Sequence, residues 1–236
     1  MRFFLSLFFS AASALAAGPV GFSSGANRTH LIELYTSEGC SSCPPAEAWL
    51  GGLRAQPGLW RDFVPVEFHV DFWDRLGWPD RFASSAYTKR EYAYAAAWDL
   101  GSVYTPCFVL DGAEWHGGAR PPPAGTETPG TLAVTRAEDG TVHVKFTAGA
   151  SADYEVYAAL LGGGIVSDVK AGENEGRTLR HEFIALTLQS APLRNGAADF
   201  SLPIPDGGGM RHALAVWVTR RGMLAPIQAT GGWLDY

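Results

Sequence analysis

The sequence has few cysteines, no basic cluster and no long apolar run beyond its first residues. Three cysteines in 236 residues are too few for a disulfide-rich scaffold. Lys and Arg number 18 against 24 Asp and Glu, and without a basic block the chain lacks the electrostatic signature of a nucleic-acid-binding protein. No phosphate loop, dinucleotide fingerprint or Ser-His-Asp motif occurs, so we expect no cofactor.

The composition is that of a folded protein. Hydrophobic residues make up 47% of the chain and charged residues 18%, which allows a sizeable core and argues against disorder. A length of 236 residues suits one large or two small domains.

The first residues have the pattern of a secretory signal peptide. Residues 1–17 contain one basic residue, an apolar run and a small-x-small site at residues 14–16. An uncleaved anchor is the alternative, although the run is short for a membrane span. After residue 17 no apolar stretch approaches about 18 residues, so we expect an exported protein, periplasmic or extracellular, with no membrane association once the signal is removed.

Residues 30–116 alternate strand patterns with helix patterns. Apolar residues at i, i+3, i+4 and i+7 from Ala46 onwards share one helical face. Asp111-Gly112, between two strand-like segments, is typical of a two-residue hairpin. The order predicts a parallel, right-handed βαβ unit followed by an antiparallel hairpin. The predicted strands are 31–35, 63–70, 107–110 and 113–116, and the second predicted helix is 83–100.

The second half of the chain has a different pattern. Residues 118–130 are full of Pro and Gly, as in a linker. Short strands separated by turns follow and predict a small β-sandwich. We therefore expect a signal peptide at 1–17, an α/β domain at 28–117, the linker at 118–130 and a β-rich domain at 131–236. The predicted strands of the last part are 131–136, 141–148, 154–161, 180–188 and 212–220.

The one motif with a sharp chemical meaning is CSSC at residues 40–43, between the first predicted strand and the first predicted helix. Free N–H groups and the dipole at a helix start favour a thiolate. Cys40 is therefore the candidate nucleophile, and Cys43 can resolve a mixed disulfide formed by Cys40.

Two other interpretations of the cysteine pair stay open. A structural disulfide is possible in an exported protein, although so short a loop stabilises a fold by only about 2 kcal/mol. A zinc site needs two more ligands, and the sequence has no second CxxC and no paired-His motif, so we expect no metal.

The predicted topology brings further residues to the sheet edge that holds the cysteines. Asp71 and Trp73 follow the second strand, and parallel strands end at the same edge. The third strand is antiparallel, so Tyr104, Thr105 and Pro106 reach this edge at its beginning. We assign Trp73, Tyr104, Thr105 and Pro106 to a substrate groove, with Pro106 as a candidate cis-proline. An ordinary trans-proline, and aromatic residues that pack the two halves together, are the competing interpretations.

The order of strand, CxxC, helix, strand, helix and Thr-Pro before a hairpin resembles the thioredoxin fold. More narrowly, the chain resembles the secreted thioredoxin-like family known as domain-of-unknown-function family 1223. The resemblance covers most of residues 31–112 and part of the second half, and it supplies no established substrate. It implies an α/β fold, with a thioredoxin-like domain followed by a small β-sandwich-like domain. The segments that carry it are ELYTSEGCSSCPPAEAWL, FHVDFWDRLGWPDRFAS, VYTPCFVLDG and GENEGRTLRHEF.

Several further residues have two interpretations each. Glu33 and Asp71 are candidate proton relays. Glu33 lies one residue further from the CxxC than the buried carboxylate of thioredoxins, and its alternative interpretation is a paired strand residue. The alternative for Asp71 is a cap of the following loop. Cys107 is expected to be buried and reduced, the alternative being a third redox partner. His69 is expected to be a strand residue with a satisfied ring. Residues 172–177, with His181 close behind, are expected to form a surface loop, the alternative being a ligand loop.

Two functions from different classes follow from these patterns. The first is an exported thiol–disulfide oxidoreductase that uses Cys40 and Cys43 on protein thiols or disulfides or on small thiols. The second is a non-catalytic binding or scaffold module in which the disulfide is inert. A peroxidase or a metallochaperone is a weaker third hypothesis.

Overall fold

The computed structural model describes residues 19–116, 120–205 and 210–234. The predicted signal peptide therefore lies outside the described residues. Of the residues that are described, 44% lie in strands and 13% in helices, and none of the helices is long and apolar enough to cross a membrane. The two α-helices are α1 (Pro44–Gly52) and α2 (Ser85–Ala97). The strands are β1 (Val20–Ser23), β2 (His30–Thr36), β3 (Phe63–His69), β4 (Cys107–Leu110), β5 (Ala113–Trp115), β6 (Gly130–Arg136), β7 (Thr141–Ala148), β8 (Tyr154–Gly163), β9 (Ile165–Asp168), β10 (Thr178–His181), β11 (Ile184–Pro192), β12 (Ala197–Ser201), β13 (Arg211–Arg220) and β14 (Pro226–Trp233).

The described strands form three sheets. The largest is mixed and has eight strands in the order β14-β13-β8-β11-β3-β2-β4-β5. Within it, β3 runs parallel to both β2 and β11, and the other neighbours are antiparallel. A four-stranded antiparallel sheet has the order β1-β6-β7-β12, and β9 pairs with β10.

The predicted fold class, an α/β thioredoxin-like domain followed by a small β-sandwich-like domain, is wrong. Strand residues outnumber helix residues more than threefold, and the described residues form two α-helices beside large mixed and antiparallel sheets. The predicted order of strands and helices between residues 30 and 115 does occur. However, β11 adds to the free edge of β3, so these strands become one end of a sheet that continues into the second half. Local periodicity contains no information about such a long-range partner.

Two hydrophobic cores lie on opposite faces of the strands from the second half. Ala159 and Trp217 belong to the core around β2 and β3, together with residues such as Leu34 and Phe68. Leu160 and other alternate residues of β8 and β13 belong to a second core under the four-stranded sheet. The core around β2 and β3 therefore includes residues of the second half, and the division into domains at 28–117 and 131–236 stays a prediction.

Local chemistry explains the ends of several elements. The Ser84 hydroxyl accepts a hydrogen bond from the Ala86 amide at 3.2 Å and caps α2. Asp111 and Gly112 have φ values of 51° and 87°, which a two-residue hairpin turn between β4 and β5 requires. A Cβ at Gly112 would also lie 2.7 Å from the Cα of Ala225, so this position accepts only glycine.

A buried ion pair connects α2 to the sheet. The Arg90 guanidinium donates to both carboxylate oxygens of Glu33, at 2.7 and 3.1 Å. The hydroxyls of Tyr35 and Tyr94 also donate to this carboxylate, at 2.9 and 2.6 Å. The Glu33 side chain is 0% exposed and that of Arg90 is 6% exposed. Each charge is therefore compensated by the other and not by water.

Replacing Arg90 by Met should destabilise the protein by about 3–5 kcal/mol, because Glu33 would be left as an uncompensated buried charge. The matched control is Arg61→Met, which breaks the pair with Asp62 at a position where the Arg side chain is 70% exposed, and it should leave the stability nearly unchanged, because an exposed ion pair contributes little. Urea unfolding of both variants measures the difference. Equal losses would show that the buried pair contributes no more than the exposed pair.

Candidate functional site

The Cys40–Cys43 pair forms a disulfide at the junction between β2 and α1. The Cα atoms are 5.5 Å apart, and the Cys43 amide donates to the Cys40 carbonyl at 3.3 Å. Cys43 is the N-cap of α1, whose first two residues are prolines, and their missing N–H groups are tolerated in a first turn. Both cysteines are 0% exposed, so a substrate reaches either sulfur only after a local movement.

Residues 172–177, here called the clamp loop, hold the backbone of the cysteine turn. Asn174 is fully buried, and its Nδ2 donates to the carbonyls of Glu38 and Cys40 at 2.9 and 2.8 Å. Its Oδ1 accepts from Arg177 at 2.7 Å. The sequence predicted a surface loop here. The structure shows a loop whose central side chain donates to two buried carbonyls, that of the first cysteine and that of Glu38.

The outer side of the cysteine turn has polar contacts. The amide and hydroxyl of Ser41 donate to the Glu173 carboxylate at 3.1 and 2.7 Å. The Ser42 hydroxyl lies 3.4 Å from the Cys40 sulfur, and both serines are exposed. Cys40 is therefore the cysteine whose sulfur contacts a surface side chain.

The residues assigned to a groove lie at the same sheet edge. The Thr105–Pro106 bond is cis, which confirms the candidate cis-proline. The Trp73 indole donates to the Thr105 hydroxyl at 2.7 Å. A Cβ on Gly39 would lie 3.0 Å from the Trp73 Cβ, so glycine permits Trp73 to pack beside the cysteine turn. Tyr104 is 39% exposed, and its hydroxyl donates to an acidic residue of β5.

Neither candidate proton relay has a described contact with the cysteines. Glu33 lies on the sheet face that carries the arginine of α2, whereas Thr36 on the opposite face contacts Glu47 of α1. The extra residue that separates Glu33 from the CxxC therefore turns it to the other face, because side chains alternate along a strand. Asp71 instead accepts a hydrogen bond from the Thr88 hydroxyl at 2.7 Å.

The third cysteine, Cys107, is free and buried, as predicted. Burial raises its pKa to about 12, so it stays a neutral thiol at physiological pH. Its position opposite Tyr35 in the β2–β4 pairing places it inside the strand ladder.

Sequence reasoning missed a buried cluster of carboxylates and imidazoles beneath α1. His69 contacts Asp80 through Nδ1 at 2.6 Å and Glu67 through Nε2 at 2.8 Å. The Nδ1 of His181 lies 3.3 Å from Glu67 and 3.6 Å from Glu47. All five residues are at most 4% exposed. The only sequence signal was the spacing of Glu67 and His69 by two residues, which puts both on one face of a strand.

The loop that precedes the cysteines belongs to the same cluster. The Glu38 carboxylate lies 3.3 Å from the Nε2 of His181, and the Trp78 indole donates to it at 2.7 Å. Burial lowers the pKa of His181, but Glu38 and Glu67 outweigh this effect and raise it to about 9. Burial and the Glu67 charge raise the pKa of Glu47 to about 7. The cluster therefore holds excess negative charge next to the disulfide.

Replacing Asn174 by Ala should make the disulfide easier to reduce. The change removes the Asn174 donor from the buried carbonyls of Glu38 and Cys40, of which the Cys40 carbonyl keeps the Cys43 amide as a donor, at a cost of about 1–3 kcal/mol in the closed state. We expect dithiothreitol to reduce the disulfide of the variant roughly tenfold faster than that of the wild-type protein, which corresponds to a free-energy difference of about 1.4 kcal/mol. Alkylation at timed intervals and mass measurement give the rate. Glu175→Ala, an exposed position of the clamp loop, is the control, and an equal rate in both variants would contradict a clamping role.

Comparison with known proteins identifies the family and related folds. Among solved structures, a crystal structure of a protein from Agrobacterium tumefaciens matches with a TM-score of 0.59 and 24% identity, over 87% of this chain and 93% of that chain. HBP35 of Porphyromonas gingivalis matches with a TM-score of 0.53 and 14% identity, over 89% of this chain and 76% of that chain. At these identities the likeness shows the fold alone. No curated protein sequence matches significantly. The model of the family described as "protein of unknown function (DUF1223)" matches residues 31–219, and the chain therefore belongs to this family.

Proposed function

We propose that the protein is an exported thiol–disulfide oxidoreductase that acts through Cys40 and Cys43 on protein thiols or disulfides or on small thiols. The position of the disulfide carries this proposal: it closes the turn directly before α1, with Cys43 as the N-cap. A helix start stabilises a thiolate, which makes the pair easier to open and reclose. As a structural link, a loop this short contributes only about 2 kcal/mol. The proposal depends on this local setting and not on a thioredoxin-like fold.

The exchange transfers two electrons. When a substrate is oxidised, its thiolate attacks the Cys40 sulfur, and Cys43 leaves as a thiolate that takes up a proton. A second substrate thiol attacks the mixed disulfide and releases Cys40, so the substrate becomes a disulfide and the protein a dithiol. In the reverse direction Cys40 attacks a substrate disulfide and Cys43 resolves the intermediate. Trp73, Thr105 and Pro106 line the approach to Cys40.

The complete burial of both cysteines favours a second candidate, a non-catalytic binding module with an inert disulfide. The Asn174 hydrogen bonds to the cysteine turn support it as well. The two candidates differ in how readily the disulfide is reduced, because structural disulfides have reduction potentials below about −300 mV.

The reduction potential separates the two functions. Equilibration with glutathione should give a value between about −270 and −120 mV, the range of exchange-active pairs. A Cys107→Ala background removes the third thiol from the measurement. A value below about −300 mV, together with no turnover of a disulfide-containing protein substrate, would favour the inert module.

Among the two thiols of the reduced protein, Cys40 should react first. Its sulfur contacts the exposed Ser42 hydroxyl, whereas the described residues show no such contact with a surface side chain for the Cys43 sulfur. Cys43→Ser should therefore trap a mixed disulfide with glutathione, and Cys40→Ser should trap several-fold less. Mass spectrometry of both variants checks the order, and more adduct on Cys43 than on Cys40 would reverse the assigned roles.

Export is the part of the proposal that rests on the signal-peptide pattern of residues 1–17. Export would place the Cys40–Cys43 pair in a compartment where disulfides persist. N-terminal sequencing of the mature protein tests it.

A further inference from the structure

The buried cluster beneath α1 has the donor set of a metal site. Glu67 and His69 are two residues apart on β3, and His181 ends β10. One ligand atom from each of these three residues lies within 4.8 Å of the others. All three residues are at most 1% exposed, so the cluster lies in the interior of the protein and not on a solvated surface.

Several polar atoms of this cluster lack hydrogen bonds. Among the described residues, neither ring nitrogen of His181 has a hydrogen-bond partner, and neither do Glu67 Oε2 and Glu38 Oε1. Carboxylate oxygens lie 3.3 to 3.6 Å from the His181 nitrogens, so the groups converge without satisfying one another. Buried polar groups without partners are rare, and a bound ion is one of the ordinary explanations.

A divalent cation satisfies this arrangement. We propose that Glu67, His69 and His181, with Glu47 as the fourth ligand, bind a divalent transition metal of the Zn²⁺ class. Imidazole nitrogens and carboxylate oxygens are both ligands of this ion, which takes four ligands in a tetrahedral arrangement. His69 Nε2, His181 Nδ1 and Glu67 Oε1 are the ligand atoms that converge. Glu47 Oε2 lies 3.6 Å from His181 Nδ1 and completes the proposed set from that side.

The surrounding contacts match those that orient metal ligands. A metal-binding histidine usually directs its second ring nitrogen at a carboxylate. His69 Nδ1 lies 2.6 Å from Asp80, and His181 Nε2 lies 3.3 Å from Glu38. The Thr36 hydroxyl donates to the other oxygen of Glu47 at 2.6 Å. Four carboxylates against two imidazoles also leave an excess of negative charge for a dication to neutralise.

A surface cavity of about 180 Å³ lies over one side of the cluster, lined by Trp78, Arg81, Val166, Ser167 and Asp168. Trp78 connects the cavity with the cluster, because its indole donates to the Glu38 carboxylate at 2.7 Å. We place the entrance for the ion here. The site is independent of the proposed redox function, because neither cysteine is among its ligands.

The test uses the full-length mature protein with its disulfide intact, after treatment with EDTA. Titration calorimetry should give one Zn²⁺ per chain, and Co²⁺ should give the visible spectrum of a tetrahedral site without the near-ultraviolet thiolate-to-metal band. His181→Gln should abolish stoichiometric binding, and Asp80→Asn should weaken it by about 10- to 100-fold. The control is His143→Gln, which alters the exposed pair with Asp199 and should leave binding unchanged.

Clear outcomes overturn the proposal. Absence of Zn²⁺ binding by the wild-type protein does so, as does unchanged binding by a folded His181→Gln variant. A thiolate band with Co²⁺ would move the site to the cysteines and would also overturn it. If His181→Gln fails to fold, the wild-type protein decides the question: Zn²⁺ should raise its unfolding midpoint, since a ligand of the native state stabilises that state, and an unchanged midpoint would contradict the site. The reduction potential of the disulfide tests the redox function separately.

Discussion

The register between β2 and β3 determines what surrounds the cysteine pair. Parallel pairing sets Leu34 opposite Glu67 and Thr36 opposite His69. Thr36, Glu67 and His69 therefore share the face that carries α1, while Glu33 lies on the other face with α2. Because side chains alternate along a strand, a slip of one residue would exchange the two faces. Both buried polar clusters would then lose their partners, so this register is strongly specified.

The two clusters satisfy their charges in different ways. Glu33 has a guanidinium and two phenol hydroxyls as donors, all within 3.1 Å. The cluster around His181 has carboxylate neighbours but no hydrogen bond to either ring nitrogen among the described residues. The first is complete in itself and attaches α2 to the sheet. The second contains buried polar atoms without hydrogen-bond partners and more carboxylates than imidazoles, as the proposed cation site requires.

One connection joins the cluster to the cysteines. The chain from β9 to β11 contributes Asn174, which holds the cysteine turn, and His181, which enters the cluster. It enters the large sheet at Ile184, which pairs with Glu67 of β3. One segment therefore supplies both the contact that holds the cysteine turn and a histidine of the buried cluster. This is the physical reason why the second half of the chain belongs to the site.

The sequence by itself determined the parts of this protein that depend on neighbours in the chain. These are the cysteine turn before a helix, the proline before β4, and the hairpin at Asp111-Gly112, where backbone geometry restricts which residues fit. Strand periodicity found most strands, but it missed β1, β9, β12 and β14 and merged β10 and β11 into one strand at 180–188. Only the tertiary structure decided that β11 pairs with β3, that Asn174 covers the cysteines and that His181 meets Glu67. Strand partners and buried polar contacts are selected by long-range hydrogen bonding and burial, which no local pattern encodes.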